Sequence, residues 1–305
     1  MVARTPLISI LMSTYNETLE ELEASVFSIL NQTYKNFEFI IIDDNPANEI
    51  LKQFLQSLDD ERVRVFYNAD NMGLVKSLNR GLEEARGEYI ARMDADDISA
   101  LTRIADEFYY LCNNHLDLIG SYIELIDEND NVIKPVMKFP SSEHRIRKFI
   151  KWGNCLAHPS WLGTKKVFEE LKGYRNVPYC EDYDFLLRVL KAGYAVGNIP
   201  KIELQYRVRP DGVSNSNQVD QYLIRNYLSC LRNYIDQTSE EELNDYIHSK
   251  KFMDDKRKVK KYYKDRADFK EATFPRKISH LMMMACNRYF WKNIVEIIIL
   301  YLRER

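Results

Sequence analysis

The amino-acid sequence predicts an α/β fold, in which a mostly parallel sheet is flanked by helices and followed by a helical C-terminal extension. Three observations lead to this prediction. Strand-like apolar runs alternate with helical patterns through the first third of the chain, the second run is continuously apolar, and the chain beyond Asp220 carries only helical patterns. Continuous apolar strands are typical of parallel sheets that helices cover on both faces.

The first part of the chain is expected to supply strands and helices in alternation. The predicted strands are residues 7–13, 37–43, 63–67 and 89–93, and the predicted helices are residues 19–30, a stretch that follows Asn45-Pro46 and ends near Leu58, and residues 74–85. Strands and helices that alternate at this spacing form βαβ units with right-handed crossovers, and such units make a parallel sheet.

The rest of the chain is expected to be less regular. It carries a predicted helix at residues 104–113, strands at residues 118–125 and 132–136, and a helix at residues 183–192. We therefore divide the chain into an α/β domain of residues 1–215 and a helical extension of residues 216–305.

The composition is that of a soluble protein with a sizeable core. Of 305 residues, 45% are hydrophobic and 29% charged, and no apolar stretch reaches the length of about 20 residues that a membrane-spanning helix needs. The apolar run near the N-terminus is predicted to be a strand and not a signal peptide, because no small-residue cleavage site follows it. The five cysteines show no CxxC spacing, which predicts neither a zinc site nor disulfides and favours a cytoplasmic location.

Charge is unevenly distributed along the chain. The net charge is −3, yet the tail from Lys250 onwards holds sixteen Lys and Arg against seven Asp and Glu. No nucleic-acid-binding motif accompanies this basic tail, so a nucleic-acid partner is not expected. Two interpretations stay open: the tail binds the anionic inner face of the cytoplasmic membrane, or it is a solvated helical face. The Ile-rich residues 294–302 fit a membrane interface, packing against the protein, or a homodimer contact.

Polar residues follow the predicted strands at the edge where a parallel α/β sheet binds its ligands. The first strand leads into Ser13, Thr14 and Tyr15, the second into Asp43 and Asp44, and the fourth into Asp94, Asp96 and Asp97. One acidic pair would be expected by chance, because Asp favours loops. Two acidic clusters at the ends of the second and fourth strands indicate a binding site.

The spacing of Asp94 and Asp96 suits a divalent cation. Carboxylates at positions i and i+2 of an extended chain face the same side, so these two can share one cation or divide a ribose and a cation between them. Mg²⁺ or Mn²⁺ takes one or two protein carboxylates and completes its shell with phosphate oxygens and water. Neither a GxxxxGK[ST] loop nor a GxGxxG turn occurs, so a metal and side chains must meet the phosphate charge.

Five segments, in order over residues 6–210, resemble the family 2 glycosyltransferases, the large group that builds bacterial capsules, O-antigens and exopolysaccharides. They are ISILMSTYNE, SILNQTYKNFEFIIIDD, NMGLVKSLNRGLEEARGEYIARMDADD, HPSWL and EDYDFLLRVLKAGY. The resemblance implies a Rossmann-like GT-A sheet. It also implies an inverting, metal-dependent enzyme that moves a sugar from a nucleotide-diphosphate donor, in the first place a UDP-sugar, to a hydroxyl of a glycan or lipid-linked glycan.

The resemblance assigns the donor site residue by residue. The nucleoside would be held by Ser13, Thr14, Tyr15 and Asp44. Asp94 and Asp96 stand where the family's DxD motif contacts ribose and metal, with Asp97 beside them.

The resemblance places the catalytic base at Asp182, with Glu181 as the second choice. An inverting displacement needs one carboxylate to deprotonate the acceptor hydroxyl as it attacks. Without the resemblance, an Asp at the start of a helix is more often an N-cap. His158 stands where relatives often have His, near metal, diphosphate or acceptor, whereas a lone His before Pro is otherwise more often structural.

Two further features leave alternatives open. Arg207 and Arg209 lie where relatives carry a YRxH-like segment, and Arg209 replaces the usual His. Trp152 and Trp161 either stack on an acceptor sugar or pack in the core. The rival functions are a sugar nucleotidyltransferase, which would need a Gly- and Arg-rich loop after the first strand, and a catalytically silent sugar-nucleotide-binding subunit, which would be expected to lack the DxD or ED carboxylates.

Overall fold

The computed structural model describes residues 5–209, 212 and 216–271, together with residues 292, 294, 295 and 299. Within these residues, nine strands form one mixed sheet. The strands are β1 (Ile8–Thr14), β2 (Phe37–Asp43), β3 (Val63–Tyr67), β4 (Tyr89–Asp94), β5 (Ile98–Ser99), β6 (Leu118–Ile126), β7 (Val132–Met137), β8 (Leu162–Thr164) and β9 (Val196–Arg207). Their order across the sheet is β3-β2-β1-β4-β8-β6-β9-β5, with β7 paired to β6.

Helices connect the strands and form the C-terminal extension. They are α1 (Leu19–Leu30), α2 (Glu49–Ser57), α3 (Leu74–Glu84), α4 (Arg103–Asn113), α5 (Glu143–Phe149), α6 (Lys165–Glu170), α7 (Glu181–Lys191), α8 (Gln218–Leu231), α9 (Glu240–His248) and α10 (Lys250–Glu271). Two 3₁₀ turns, Ile150–Trp152 and His158–Ser160, lie between α5 and β8.

The N-terminal half of the sheet is parallel, as the sequence predicts. β1 pairs in parallel with β2 and β4, and β2 pairs in parallel with β3. Every residue of β2 is buried, because α1 packs on one face of the sheet through Leu22 and α3 packs on the other through Leu78. The predicted strands and helices of residues 7–93 are confirmed to within one residue at each predicted end, and the helix after Asn45-Pro46, for which no first residue is predicted, begins at Glu49.

The sequence analysis missed the short strands that make the sheet mixed. β8 lies antiparallel between β4 and β6, and β5 pairs antiparallel with β9. These strands have three and two residues, which is too few to show a period. β9 was also missed, because Pro200 interrupts its pattern and coincides with an irregular register against β6.

The helical extension packs against the α/β domain. Leu228 of α8, Leu243 of α9 and Val259 of α10 belong to the same buried cluster as Trp161 and Phe185 of the domain. The boundary near residue 215 stays a prediction, because this apolar core runs across it. None of the helices in the described part of the chain is long and apolar enough to cross a membrane.

The basic tail is only partly described. The apolar side of α10, with Phe252 and Tyr262, faces the protein core. Of residues 294–302, all but Ile294, Val295 and Ile299 lie outside the described residues. Ile299 packs against the same buried cluster, and Val295 is exposed.

Candidate active site

The carboxyl ends of β1, β2 and β4 meet at one edge of the sheet and bring the predicted polar residues together. In the strand register, Ser13 of β1 lies opposite Asp94 of β4, and Thr14 lies opposite Asp43 of β2. The two acidic clusters therefore lie on either side of the loop that follows β1, as the parallel topology predicts.

Glu17 shapes the loop after β1. Its carboxylate accepts hydrogen bonds from Thr14 Oγ1 at 2.6 Å and from the backbone N–H of Tyr15 at 2.7 Å. Asn45 Nδ2, at the end of β2, donates to the carbonyl oxygen of Tyr15 at 2.8 Å. The backbone of Tyr15 is thus held from two sides while its ring is 41% exposed, an arrangement that suits stacking on a nucleobase.

Asp44 holds the loop that precedes α3. Its Oδ1 accepts from Asn68 Nδ2 at 2.7 Å and from the Met72 N–H at 2.8 Å, and its Oδ2 accepts from the Gly73 N–H at 2.8 Å. The side chain is buried, and both of its carboxylate oxygens already accept hydrogen bonds from the protein. The nucleoside contact that the resemblance implies for Asp44 stays a prediction.

The neighbouring Asp43 has one carboxylate oxygen that accepts no hydrogen bond from the described residues. Its Oδ1 accepts from the Asn45 N–H at 3.0 Å, whereas its buried Oδ2 has no hydrogen-bond partner among the described residues. Burial raises the pKa of this carboxyl above its usual value. Asp43 is therefore a candidate acceptor for a ligand N–H or hydroxyl, and the sequence analysis had noted it only as part of the acidic pair.

The acidic residues after β4 are held by arginines. Arg92, buried in β4, forms a close ion pair with Asp94, and Arg209 Nε lies 3.2 Å from Asp96 Oδ2. Asp97 is buried, and its Oδ1 accepts from the Arg207 N–H at 2.8 Å. A charged residue in the otherwise apolar strand YIARM was the sequence signal that would have identified Arg92.

The same cluster carries unbalanced negative charge. Burial, followed by the charge of Asp94, raises the pKa of Asp96 to about 7. Burial, then Asp96 and Asp94, raises the pKa of Asp97 well above its usual value, and the buried Asp97 Oδ2 has no hydrogen-bond partner among the described residues. A cation next to these carboxylates would relieve both the repulsion and the burial cost.

The residues present fit a hard divalent cation that is shared with a ligand. In the described part of the chain, no three His, Cys, Asp or Glu side chains are grouped so that they could hold a metal by themselves. Carboxylates of Asp94 and Asp96 would supply one or two oxygen ligands, which is the number such a cation takes when phosphate oxygens complete its shell. Which of Asp94, Asp96 and Asp97 contact the metal stays a prediction.

His158 lies in a buried aromatic cluster. Its Nε2 is 2.9 Å from the Tyr174 hydroxyl, and its ring meets the Trp161 ring edge-on at 4.7 Å between centroids. Burial and the charge of Arg92 lower the pKa of His158 well below its usual value, so the ring is neutral. The contact of His158 with a metal stays a prediction, and Trp161, fully buried, packs in the core.

Glu21 of α1 ties the end of β9 to the acidic cluster. It accepts a hydrogen bond from Arg209 at 2.7 Å, and its other oxygen lies 3.6 Å from Arg207 Nε. Arg207 Nε also donates to the Asp96 carbonyl oxygen at 2.8 Å. Arg209, which stands where the resemblance implies a His, also contacts Asp96 directly, with Nε 3.2 Å from Oδ2. No sequence pattern pointed to a role for Glu21.

Asp182 lies at the second residue of α7, and its carboxylate is held at both oxygens. Oδ2 accepts from Asn154 Nδ2 at 2.6 Å, and Oδ1 accepts from the Tyr183 N–H at 2.6 Å. The N-cap of α7 is Cys180, so the alternative that Asp182 is the cap residue is wrong. Burial raises the pKa of Asp182 despite these two bonds.

Glu181 precedes Asp182 and is less suited to act as the base, because a carboxyl group with a strongly raised pKa is largely protonated at neutral pH. Burial, the charge of Asp182 and, less strongly, that of Asp94 raise the pKa of Glu181 to about 8. Trp161 links the start of α7 to β4, because its carbonyl oxygen accepts from the Arg92 N–H at 2.8 Å and its ring centroid lies 5.8 Å from that of Phe185.

A cavity of about 350 Å³ opens beside Asp182. The extension forms much of its wall, because α8 supplies Gln221, Tyr222 and Arg225, and α10 supplies Tyr263. Amide, phenol and guanidinium groups next to aromatic faces are the groups that bind sugar hydroxyls and rings. The helical extension thus completes a polar pocket at the ED pair.

Comparison with known proteins shows the family of the chain. Residues 9–172 match the family model described as Glycosyl transferase family 2. The O-antigen biosynthesis glycosyltransferase WbnJ of Escherichia coli is 32% identical over 75% of this chain and 95% of its own length.

Two solved structures share the fold. The S. aureus TarS fragment 1–349, solved with UDP-GlcNAc, superimposes with a TM-score of 0.61 at 17% identity, over 79% of this chain and 72% of that one. The mannosyltransferase PcManGT of Pyrobaculum calidifontis, solved with GDP-Man and Mn²⁺, gives a TM-score of 0.60 at 14% identity, over 99% and 88% of the two chains. The predicted GT-A fold is confirmed, and the family match over more than half of the sequence means that this chain belongs to glycosyl transferase family 2.

Proposed function

We propose that the protein is an inverting glycosyltransferase that moves a sugar from a nucleotide-diphosphate donor to a hydroxyl of a glycan or lipid-linked glycan. The observation that carries the proposal is a pair of acidic sites on β4 and α7, two elements that are linked through Trp161. The DxD cluster ends β4, and Asp182 begins α7 beside a polar cavity. Inversion requires this arrangement, with the leaving diphosphate on one side of the sugar and the base on the other.

The donor would lie across the ends of β1, β2 and β4. Tyr15 offers an exposed ring to the base, Ser13 and Thr14 line the loop, and Asp43 or Asp44 accepts from the nucleoside. Asp94 and Asp96 would hold ribose and a divalent cation, Mn²⁺ or Mg²⁺. When bound, that cation neutralises the charge on the departing diphosphate. A UDP-sugar is the first donor to test, since TarS was solved with UDP-GlcNAc, and GDP-mannose is the second, since PcManGT was solved with GDP-Man.

The acceptor would enter the cavity beside Asp182. The carboxylate takes the proton of the acceptor hydroxyl while that oxygen attacks the anomeric carbon, and the raised pKa of Asp182 increases its basicity. Asn154 fixes the orientation of the carboxylate during this transfer. The name of WbnJ points to O-antigen synthesis, so a glycan of a cell-surface polysaccharide is the acceptor class we propose. Such synthesis would occur in the cytoplasm, at the inner face of the membrane where the acceptor is lipid-linked.

A donor panel with and without Mn²⁺ tests the proposal through the release of free nucleotide. In a matched pair of variants, Asp182→Asn should abolish transfer while leaving UDP affinity, measured by calorimetry, within a few-fold of wild type. Glu181→Gln should keep transfer, because it removes only the ionisable group of Glu181 and leaves Asp182, the proposed base, unchanged.

Three results would contradict parts of the proposal. Transfer by Asp182→Asn together with its loss in Glu181→Gln would make Glu181 the base. Binding of UDP without hydrolysis or transfer of any sugar nucleotide would favour the silent-subunit alternative. Full activity after removal of divalent cations with a chelator would refute metal dependence.

A further inference from the structure

A second surface feature lies next to the cavity and has no part in donor binding. α5 and the 3₁₀ turn Ile150–Trp152 form one wall of a cleft of about 540 Å³, which we call the basic groove. Its lining combines cations with apolar groups, and the residues that matter here are Arg145, Lys148, Lys151, Phe149, Trp152 and Ile299.

The lysines of the basic groove present their charge to solvent. Lys148 and Lys151 are exposed, and among the described residues neither has a carboxylate within ion-pair distance. The acidic residue of α5, Glu143, instead pairs with Arg147 at 2.7 Å. The groove therefore has a net positive charge that is suited to a phosphate-bearing partner.

Aromatic and apolar groups lie directly against these cations. Lys148 Nζ is 5.7 Å from the centroid of the Phe149 ring, and Lys151 Nζ is 5.3 Å from that of the half-buried Trp152. Ile299 adds an aliphatic side chain to the same wall. Lysines next to aromatic rings, with Trp among them, are the combination found where a protein surface enters the headgroup region of a bilayer.

The basic groove adjoins the base. Trp152 is two residues from Asn154 in the chain, so the Cα atoms of Trp152 and Asn154 are at most about 7 Å apart. Asn154 in turn donates a hydrogen bond to Asp182. Helix α8 supports this segment, because Ser229 Oγ donates to the Lys151 carbonyl oxygen at 2.7 Å. An acceptor presented at the groove would thus lie close to Asn154, which lines the cavity beside Asp182.

We propose that the basic groove docks the enzyme on an anionic lipid bilayer, with Lys148 and Lys151 on the lipid phosphates and Trp152 at the headgroup level. The delivery of a lipid-linked acceptor to Asp182 rests on the proposed function, whereas the lipid binding does not. The docking surface is then the catalytic domain itself, and not the lysines of α10.

Co-sedimentation of the full chain with vesicles at low salt tests this proposal. Vesicles of equal parts phosphatidylglycerol and phosphatidylcholine are compared with pure phosphatidylcholine, and no nucleotide is present. The groove pair Lys148→Glu/Lys151→Glu should weaken binding to anionic vesicles by more than about thirtyfold, because each lysine near such a surface contributes about fivefold to attachment. The matched pair Lys260→Glu/Lys261→Glu makes the same charge change at exposed lysines of α10 and should alter binding by less than about threefold.

Unfolding midpoints show whether the variants keep their fold. If charge reversal lowers the midpoint of the groove pair, Lys148→Gln/Lys151→Gln replaces it, with an expected loss of about thirtyfold. The proposal is overturned if the wild type ignores anionic vesicles, if it binds neutral vesicles equally well, or if the α10 pair loses as much binding as the groove pair. Binding of single-stranded RNA, but not vesicles, through the same lysines would also overturn it. Vesicle binding without any glycosyl transfer would refute only the proposed function.

Discussion

Replacing Asp44 with Asn distinguishes a loop anchor from a nucleoside ligand. The buried carboxylate accepts three hydrogen bonds, from Asn68 Nδ2, the Met72 N–H and the Gly73 N–H. An Asn in the same place keeps one oxygen for the first two donors and turns its NH₂ group towards the Gly73 N–H. We expect Asp44→Asn to lose one bond to a charged acceptor and to weaken the other two.

The size of the effect follows from these contacts. A hydrogen bond to a charged group contributes about 1.5 to 3 kcal/mol, but the Gly73 N–H also donates to Asn71 Oδ1 at 3.0 Å and is not left without an acceptor. The expected loss is therefore about 2 kcal/mol, which lowers the unfolding midpoint of a chain of this length by about 3 °C. Differential scanning calorimetry measures the midpoint, and titration with UDP and Mn²⁺ measures the affinity.

Asp43→Asn is the matched control, one residue away at the end of β2. Because burial raises the pKa of Asp43 above its unfolded value, the charged form is disfavoured in the folded protein, and the stability from this group is lost as pH rises through the folded pKa. Removing the charge should leave the midpoint at neutral pH unchanged or higher, while UDP affinity falls if Asp43 contacts the nucleoside. An unchanged midpoint in Asp44→Asn, together with a large loss of UDP affinity, would refute the reasoning and return Asp44 to the nucleoside.

Three further outcomes are expected. Asp96→Asn should lose nearly all turnover even in saturating Mn²⁺, as measured by nucleotide release; near-wild-type activity would move the metal role elsewhere. Asn154→Ala removes a bond that lowers the pKa of Asp182, so the acid limb of the kcat/KM profile should move to higher pH, because the base must be deprotonated; an unmoved limb would separate it from Asp182. Truncation before Lys250 removes Phe252, Val259 and Tyr262 from the core, at roughly 1.5 to 3 kcal/mol each, and should give aggregated protein on size exclusion; a folded monomer would show that α10 is dispensable.

The parallel half of the fold could be predicted from the sequence because its information is local. Each strand of residues 7–93 carries a continuous apolar run, each helix shows an apolar face, and the turn residues lie between them. β8 and β5 could not be found, since strands of three and two residues are defined by their partners and not by their own pattern. Pro200 concealed β9 for a related reason, because an irregular pairing with β6 accommodates it.

The site was predictable where a residue follows directly from a strand end, and much less so where a contact crosses the chain. Asp94 and Asp96 could be found from their position after β4. The bond between Arg209 and Glu21 joins residues 188 positions apart, and no spacing rule reports it. The same holds for Asn154, whose role depends on the packing that brings it to Asp182. Long-range side-chain contacts therefore account for most of what the sequence left out.

Arg92 connects the two halves of the proposed site. It forms an ion pair with Asp94, and its charge also acts to lower the pKa values of Asp97, Asp182 and Glu181, against the larger effect of burial. A buried guanidinium at the centre of β4 thus compensates part of the negative charge on the donor side and on the base side together. A buried cation is costly without acidic partners, so any variant that removed those carboxylates together would lower the free energy of unfolding. The pKa of Asp182, the proposed base, and the charge of the acidic cluster at the end of β4 are consequently not independent. A change in either is expected to alter the other through Arg92.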